Sequence, residues 1–154
     1  MNRRTSSSAA APFSAARTPG AHRVFLDTGI FIAFLVSKDR HYRSALALFG
    51  GPRPRWFTSA LICGETYAWL VHRRGEETAR QFRFLLGSLD ELVVLDTDPE
   101  LRDETWRMLD RLRGTRLTYV DASSLALMAR HGIRTVWATD HHLGLTGAEV
   151  LPRS

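Results

Sequence analysis

The sequence predicts an α/β fold: one domain with a short parallel sheet flanked by helices on both faces. Three observations carry this. Short apolar runs of strand length alternate with longer segments of helical period along most of the chain. The runs read as buried strands, as expected of a parallel sheet covered on both faces. A chain of 154 residues with 44% hydrophobic content is enough for one ordinary core.

The elements follow in order. Residues 1–22 are rich in Ser, Ala, Arg and Pro, hold no apolar run and are read as a disordered tail, so the domain is placed at residues 23–152. Val24-Phe25-Leu26 is a short buried strand, followed by Asp27-Thr28-Gly29 and an apolar helix from Ile30 to Val36. A second helix spans about His41 to Phe49, until Gly50, Gly51, Pro52 and Pro54 break the chain. Arg55 to Thr58 is a short strand, Ser59 caps a helix to about Arg74, and Gly75 closes it. Glu76 and Glu77 open a helix to about Leu86, and Leu92 to Leu95 is a strand. Asp98-Pro99-Glu100 supplies a cap and first-turn proline for a helix ending near Gly114. A helix from about Val120 to His131, a strand from Thr135 to Ala138 and a final strand around Val150 complete the domain.

Net charge is +5, but residues 1–22 contribute three arginines and no acid, leaving 18 basic against 16 acidic residues in the remainder. The domain is thus nearly balanced, and a phosphate-bearing partner requires local clustering of arginines. Lys38 is the single lysine, a bias that GC-rich codons produce without functional cause and that also suits bidentate phosphate contact. The sole cysteine, Cys63, cannot form an internal disulfide, and no Cys or Cys/His pairing has zinc-ligand spacing, so a reducing cytosol is expected. No segment has the length and apolarity to span a bilayer, and the start lacks a secretory apolar stretch; its acid-free Arg and Ser content also fits a transit peptide.

Most carboxylates have ordinary explanations. Glu76, Glu77, Asp98 and Glu100 sit in first helical turns, Asp103, Glu104 and Asp110 on a polar helix face, and Asp39, Asp90 and Glu91 in turns. Asp96 ends a strand but leads into the turn at Asp98, and is left outside any site. Four acids are embedded in apolar sequence: Asp27, Glu65, Asp121 and Asp140. An ionised carboxylate is costly there unless something pairs with it. Asp27 and Asp140 end predicted parallel strands, where open α/β sheets place their ligands, and Glu65 and Asp121 sit on helices able to lean over that edge. Carboxylates converging on one cavity repel one another unless a divalent cation neutralises them, and oxygen-only donors suit Mg²⁺ or Mn²⁺. Taken singly, Asp121 is also consistent with a helix N-cap, and Asp27 with a brace for the turn after its strand.

These residues and their surroundings resemble the PIN-domain ribonucleases, in particular the VapC-type toxins of bacterial type II toxin–antitoxin systems. The matching pieces are Val24 to Thr28; Thr58-Ser59-Ala60 through Glu65 to Arg73-Arg74-Gly75; Leu117 to Ala122 leading into Ala126-Leu127-Met128; and Ala138-Thr139-Asp140 followed by Val150-Leu151-Pro152. The resemblance implies a three-layer PIN-like fold and metal-assisted endoribonuclease activity, with Asp27, Asp121 and Asp140 holding Mg²⁺ (Mn²⁺ as substitute), Glu65 holding metal, water or a second ion, and Thr28 in support. It further implies a cytoplasmic homodimer silenced by a small antitoxin protein. Arg73 and Arg74 are candidates for RNA phosphate contact, although arginine at a helix C-terminus is equally favoured by the dipole. His141-His142-Leu143 departs from the family pattern of a basic residue, His and Phe; both histidines are read as loop residues without a chemical role, with metal ligation or phosphate contact as the alternative. Trp56, Trp69, Trp106 and Trp137 are read as core or interface aromatics. Two further readings remain open: a PIN-like module that binds RNA or protein without catalysis, and a DNA nuclease of the same fold.

Overall fold

A computed structural model describes residues 22–153; the tail expected over residues 1–22 lies, His22 apart, outside the described residues. Five parallel strands form one sheet in the order β3-β2-β1-β4-β5. They are β1 (Arg23–Leu26), β2 (Arg55–Ser59), β3 (Val93–Leu95), β4 (Thr135–Trp137) and β5 (Glu149–Leu151). β1 lies at the centre, with Phe25 opposite Phe57 of β2 on one side and Val136 of β4 on the other. Val24, Phe25 and Leu26 are wholly buried, as a strand covered on both faces requires.

The helices form two groups. α1 (Thr28–Leu35), α2 (Tyr42–Gly50), α3 (Ala60–Arg74) and α4 (Glu76–Ser88) connect β1 to β2 to β3, with α1 packed on α2, α3 and α4. α5 (Pro99–Arg111) and α6 (Tyr119–Arg130) pack on each other and return the chain across the sheet to β4. Parallel crossovers are right-handed, so the reversal of direction between the two groups puts them on opposite faces and gives three layers. The edge contact of the Phe31 and Phe82 rings locks α1 to α4, and that of Phe49 and Trp137 ties α2 to the sheet. Trp56 and Trp137 are core residues as expected, whereas Trp106 is exposed and stands edge-on to Tyr119.

Local chemistry sets the helix ends. Ser59 Oγ accepts from the Ile62 amide and Asp98 Oδ1 from Leu101, so both expected N-caps form. Gly75, with φ of 89°, ends α3 in a conformation that side chains disfavour. Element boundaries differ from the sequence reading by one to three residues at several ends. α1 begins at Thr28, directly after Asp27, rather than at Ile30. α5 stops at Arg111, short of Gly114. β4 ends at Trp137, and a single-turn 3₁₀ helix, absent from the sequence reading, follows at His142–Gly144. Among the described residues no helix is long and apolar enough to cross a membrane.

Candidate active site

β1 and β4 are neighbours whose connections leave in opposite directions, and the crevice beyond their C-terminal ends is where an open α/β sheet accepts a ligand. Asp27 is the first residue past β1. Its amide donates to the Trp137 carbonyl at 3.0 Å, which clamps it to the end of β4, and the Thr58 hydroxyl holds the preceding Leu26 carbonyl at 2.9 Å. The side chain is buried, with 7% of the residue exposed. Burial above all, aided by the charges of Asp121 and Glu65, pushes its carboxyl up from 3.8 to about 7. The nearby Thr28 and Gly29 amides pull the other way, although the side chain forms no N-capping hydrogen bond to α1.

Glu65 stands on the second turn of α3, where its Oε2 accepts from Thr28 Oγ1 at 2.5 Å. Thr28 Oγ1 in turn accepts from Thr66 Oγ1 at 3.3 Å. This chain of hydroxyls aims Glu65 at the start of α1, beside Asp27. Asp121 is the third residue of α6 rather than its N-cap. Thr118 is the cap, and the two form a reciprocal capping box: the Asp121 amide to Thr118 Oγ1 and the Thr118 amide to Asp121 Oδ2, each 3.1 Å. The local role and the pocket position coexist, because the field of Asp121 still reaches Asp27.

Asp140 differs most from its sequence reading. It lies three residues past the end of β4, in a turn where its Oδ1 accepts from the His142 amide at 2.7 Å, and its side chain is 52% exposed. What joins it to the others is His142. Nδ1 of His142 lies 3.0 Å from Asp140 Oδ1 and 4.0 Å from Asp121 Oδ2, so the imidazole sits between the two carboxylates. The sequence reading favoured a loop residue over a metal ligand or phosphate contact for His142, whose place two residues after Asp140 was the local hint. Gly29 was missed too. A Cβ there would stand 2.1 Å from Thr139 Oγ1 and 3.2 Å from the Thr139 amide nitrogen, so its lack of a side chain lets the start of α1 approach the segment that carries Asp140.

The burial expectation holds for one acid of the four. Asp27 is buried and Asp121 has a side chain 22% exposed, whereas Glu65 and Asp140 face solvent. Arg73 and Arg74 are exposed in the last turn of α3, roughly 12 Å along the axis from Glu65 at 1.5 Å per residue. The thiol of Cys63 is half-buried and raised by that burial, in keeping with a packing residue.

Among the described residues, no arginine or lysine forms an ion pair with Asp27, Glu65, Asp121 or Asp140. A buried carboxylate raised further by two neighbouring carboxylates, with no basic side chain to offset it, fits a divalent cation, and the oxygen donors fit a hard one.

Fold and site together define an open parallel α/β domain with carboxylates gathered at its topological switch point. The chain belongs to the PIN-domain family, whose model matches residues 24–147. It is similar to the 23S rRNA-specific endonuclease VapC20 of Mycobacterium tuberculosis, at 28% identity over 131 residues, covering 84% of this chain and 98% of the relative. The crystal structure of that sarcin–ricin-loop-cleaving toxin superposes with a TM-score of 0.75 at 26% identity, over 81% of this chain and 95% of the other. A toxin–antitoxin complex from Klebsiella pneumoniae shares the fold at a TM-score of 0.61 and 16% identity, over 83% of this chain and 95% of that one.

Proposed function

We propose that this protein is a Mg²⁺-dependent endoribonuclease and the toxin of a toxin–antitoxin pair. The observation that carries the reading is the Asp27 carboxyl: buried at the switch point, raised to about 7, and near Asp121 and Glu65 with no arginine or lysine among the described residues paired to it. Such an arrangement opposes stability and is explained by a cation that needs it. Asp27, Asp121 and Asp140 are the residues that would hold Mg²⁺, or Mn²⁺ in its place. When bound, the ion lowers the pKa of a water for attack on a phosphodiester and neutralises charge on the leaving oxygen.

The chain's own residues do the rest. Thr28 fixes the rotamer of Glu65, leaving its other oxygen to take a proton from an attacking water. His142 holds Asp140 toward Asp121. Burial of Asp27 removes it from competing solvent, which strengthens its interaction with a cation. Arg73 and Arg74 are assigned to the RNA backbone. The cytoplasm, a homodimer and a small antitoxin laid over the acidic pocket complete the reading, in line with the toxin–antitoxin complexes whose fold the chain shares.

The test is direct. Purified protein is incubated with ribosomal RNA, the substrate class of the VapC20 relative, with Mg²⁺, Mn²⁺ or EDTA. Cleavage with either ion but not EDTA, leaving 5′-phosphate ends, is expected, and Asp27→Asn or Asp121→Asn should abolish it. Undiminished cutting by those variants overturns the proposal. RNA binding without cutting selects a non-catalytic module, and cutting of DNA alone a DNA nuclease.

A further inference from the structure

The chain carries donors of a second kind at the outer edge of the acidic pocket. Among the described residues, Asp140, His141 and His142 offer one ligand atom each, all within 4.8 Å of one another. His142 Nδ1 lies 3.0 Å and His141 Nδ1 3.9 Å from Asp140 Oδ1. Two donors on one tetrahedral ion stand about 3.4 Å apart for bonds of about 2.1 Å, so these separations bracket the required one and small side-chain rotations meet it. The turn supplies the convergence: the His142 amide bonds Asp140 Oδ1, and the two imidazole centroids lie 4.8 Å apart on the same side of the chain.

We propose that Asp140, His141 and His142 form a site for a borderline-soft divalent cation such as Zn²⁺, Ni²⁺ or Co²⁺, distinct in donor chemistry from the oxygen-only set of Asp27, Glu65, Asp121 and Asp140 with which it shares Asp140. Imidazole nitrogen ranks these ions far above Mg²⁺, whereas a carboxylate pocket favours the harder ion. On the Asp140 and His141 side of the cluster, space for the remaining coordination positions lies in a cavity of about 250 Å³ whose wall includes those two residues, His41 and Arg153 but not His142. Arg153, the arginine on that cavity's wall, is turned to Glu149 at 2.8 Å, so its charge is already matched. The site is open: the His141 side chain is 87% exposed, which suits an exchangeable ion rather than a structural one. Asp140 is common to the site and the acidic pocket, so an ion held by the histidines takes that carboxylate from the pocket.

The experiment is calorimetric titration of Ni²⁺, and of Co²⁺ followed by its visible absorption, into untagged full-length protein and into an Asp27→Asn, Asp121→Asn double variant that disables the oxygen-rich pocket. Wild type and double variant should each show an imidazole-type Co²⁺ spectrum and retain one Ni²⁺ site. Adding His141→Ala or His142→Ala to the double variant should weaken that site by about tenfold or more. Exposure of His141 keeps the first of these variants from disturbing the fold. Absence of Ni²⁺ binding in the double variant, or affinity unchanged by both histidine substitutions, overturns the proposal. Neither result depends on RNA cleavage, so the nuclease reading stands or falls separately.

Discussion

Replacing Asp27 with asparagine should make the metal-free protein more stable, in a strongly pH-dependent way. The wild-type carboxyl has a folded pKa of about 7 against an ordinary 3.8. A pKa raised on folding means that the folded state holds the proton more tightly. The stability gained from that is fully present below pH 3.8 and is lost as pH rises toward 7. At 1.36 kcal/mol per pH unit the loss is about 4 kcal/mol, a large share of the 5–15 kcal/mol that holds a typical domain together. The group is buried, so solvent screening removes little of this. The side-chain amide of the variant carries no charge and escapes the loss, less a smaller term for poorer hydrogen bonding to the Thr28 and Gly29 amides. Urea unfolding in EDTA should therefore show Asp27→Asn more stable than wild type by up to about 4 kcal/mol at pH 8, with the gap closing by pH 4. Saturating Mg²⁺ should narrow the pH 8 gap from the other side, by about 2.7 kcal/mol at a hundred times its Kd. A variant equal to or weaker than wild type at pH 8 in EDTA would refute the reasoning, as would a gap independent of pH.

Three further substitutions probe what positions the pocket. Gly29→Ala drives a methyl into Thr139 and should cost about 1–3 kcal/mol in thermal melts, with RNA cleavage falling because the Asp140 segment must retreat. Thr118→Ala removes the α6 cap and half of its capping box, so about 1 kcal/mol should be lost in urea unfolding. Phe82→Ala empties a buried ring site against Phe31 and should cost about 3–5 kcal/mol by the same measurement.

The fold was largely legible because its central strands β1 and β2 are buried on both faces and two of its helix starts carry strong caps: Val24-Phe25-Leu26, Ser59 and Asp98 announce themselves locally. The site was legible only in part. Apolar neighbours along the chain marked Asp27 correctly, since a central strand is buried whichever way its side chains point. The same argument misjudged the burial of Glu65, because a helix has two faces: Ile62, Thr66 and Leu70 face the core while Glu65 is exposed at its edge, within reach of Thr28. Asp140 was misplaced at a strand end because β4 stops at Trp137, three residues before it, which leaves the acid in a turn. His142 and Gly29 owe their places to contacts with segments distant in sequence, Asp121 and Thr139, which no local pattern encodes.

Arg73 and Arg74 give the reading of RNA as substrate its sharpest check. α3 starts at the C-terminal end of β2, so Glu65 in its second turn stands near the acidic pocket and the arginines at its far end. An axial offset of roughly 12 Å is about two phosphate spacings of an extended strand, so a strand cleaved at the pocket and running down α3 reaches both guanidiniums. If both contact phosphate, substituting Arg73→Ala and Arg74→Ala together removes two counterion-releasing charges. For single-stranded RNA the slope of log K against log salt should then fall in magnitude by about 1.4. The chemistry is untouched, so KM should rise at low salt while kcat holds. The alternative, that the pair only complements the α3 dipole, predicts a small loss of thermal stability and an unchanged slope. Equal salt slopes for wild type and double variant would take both arginines out of the RNA path.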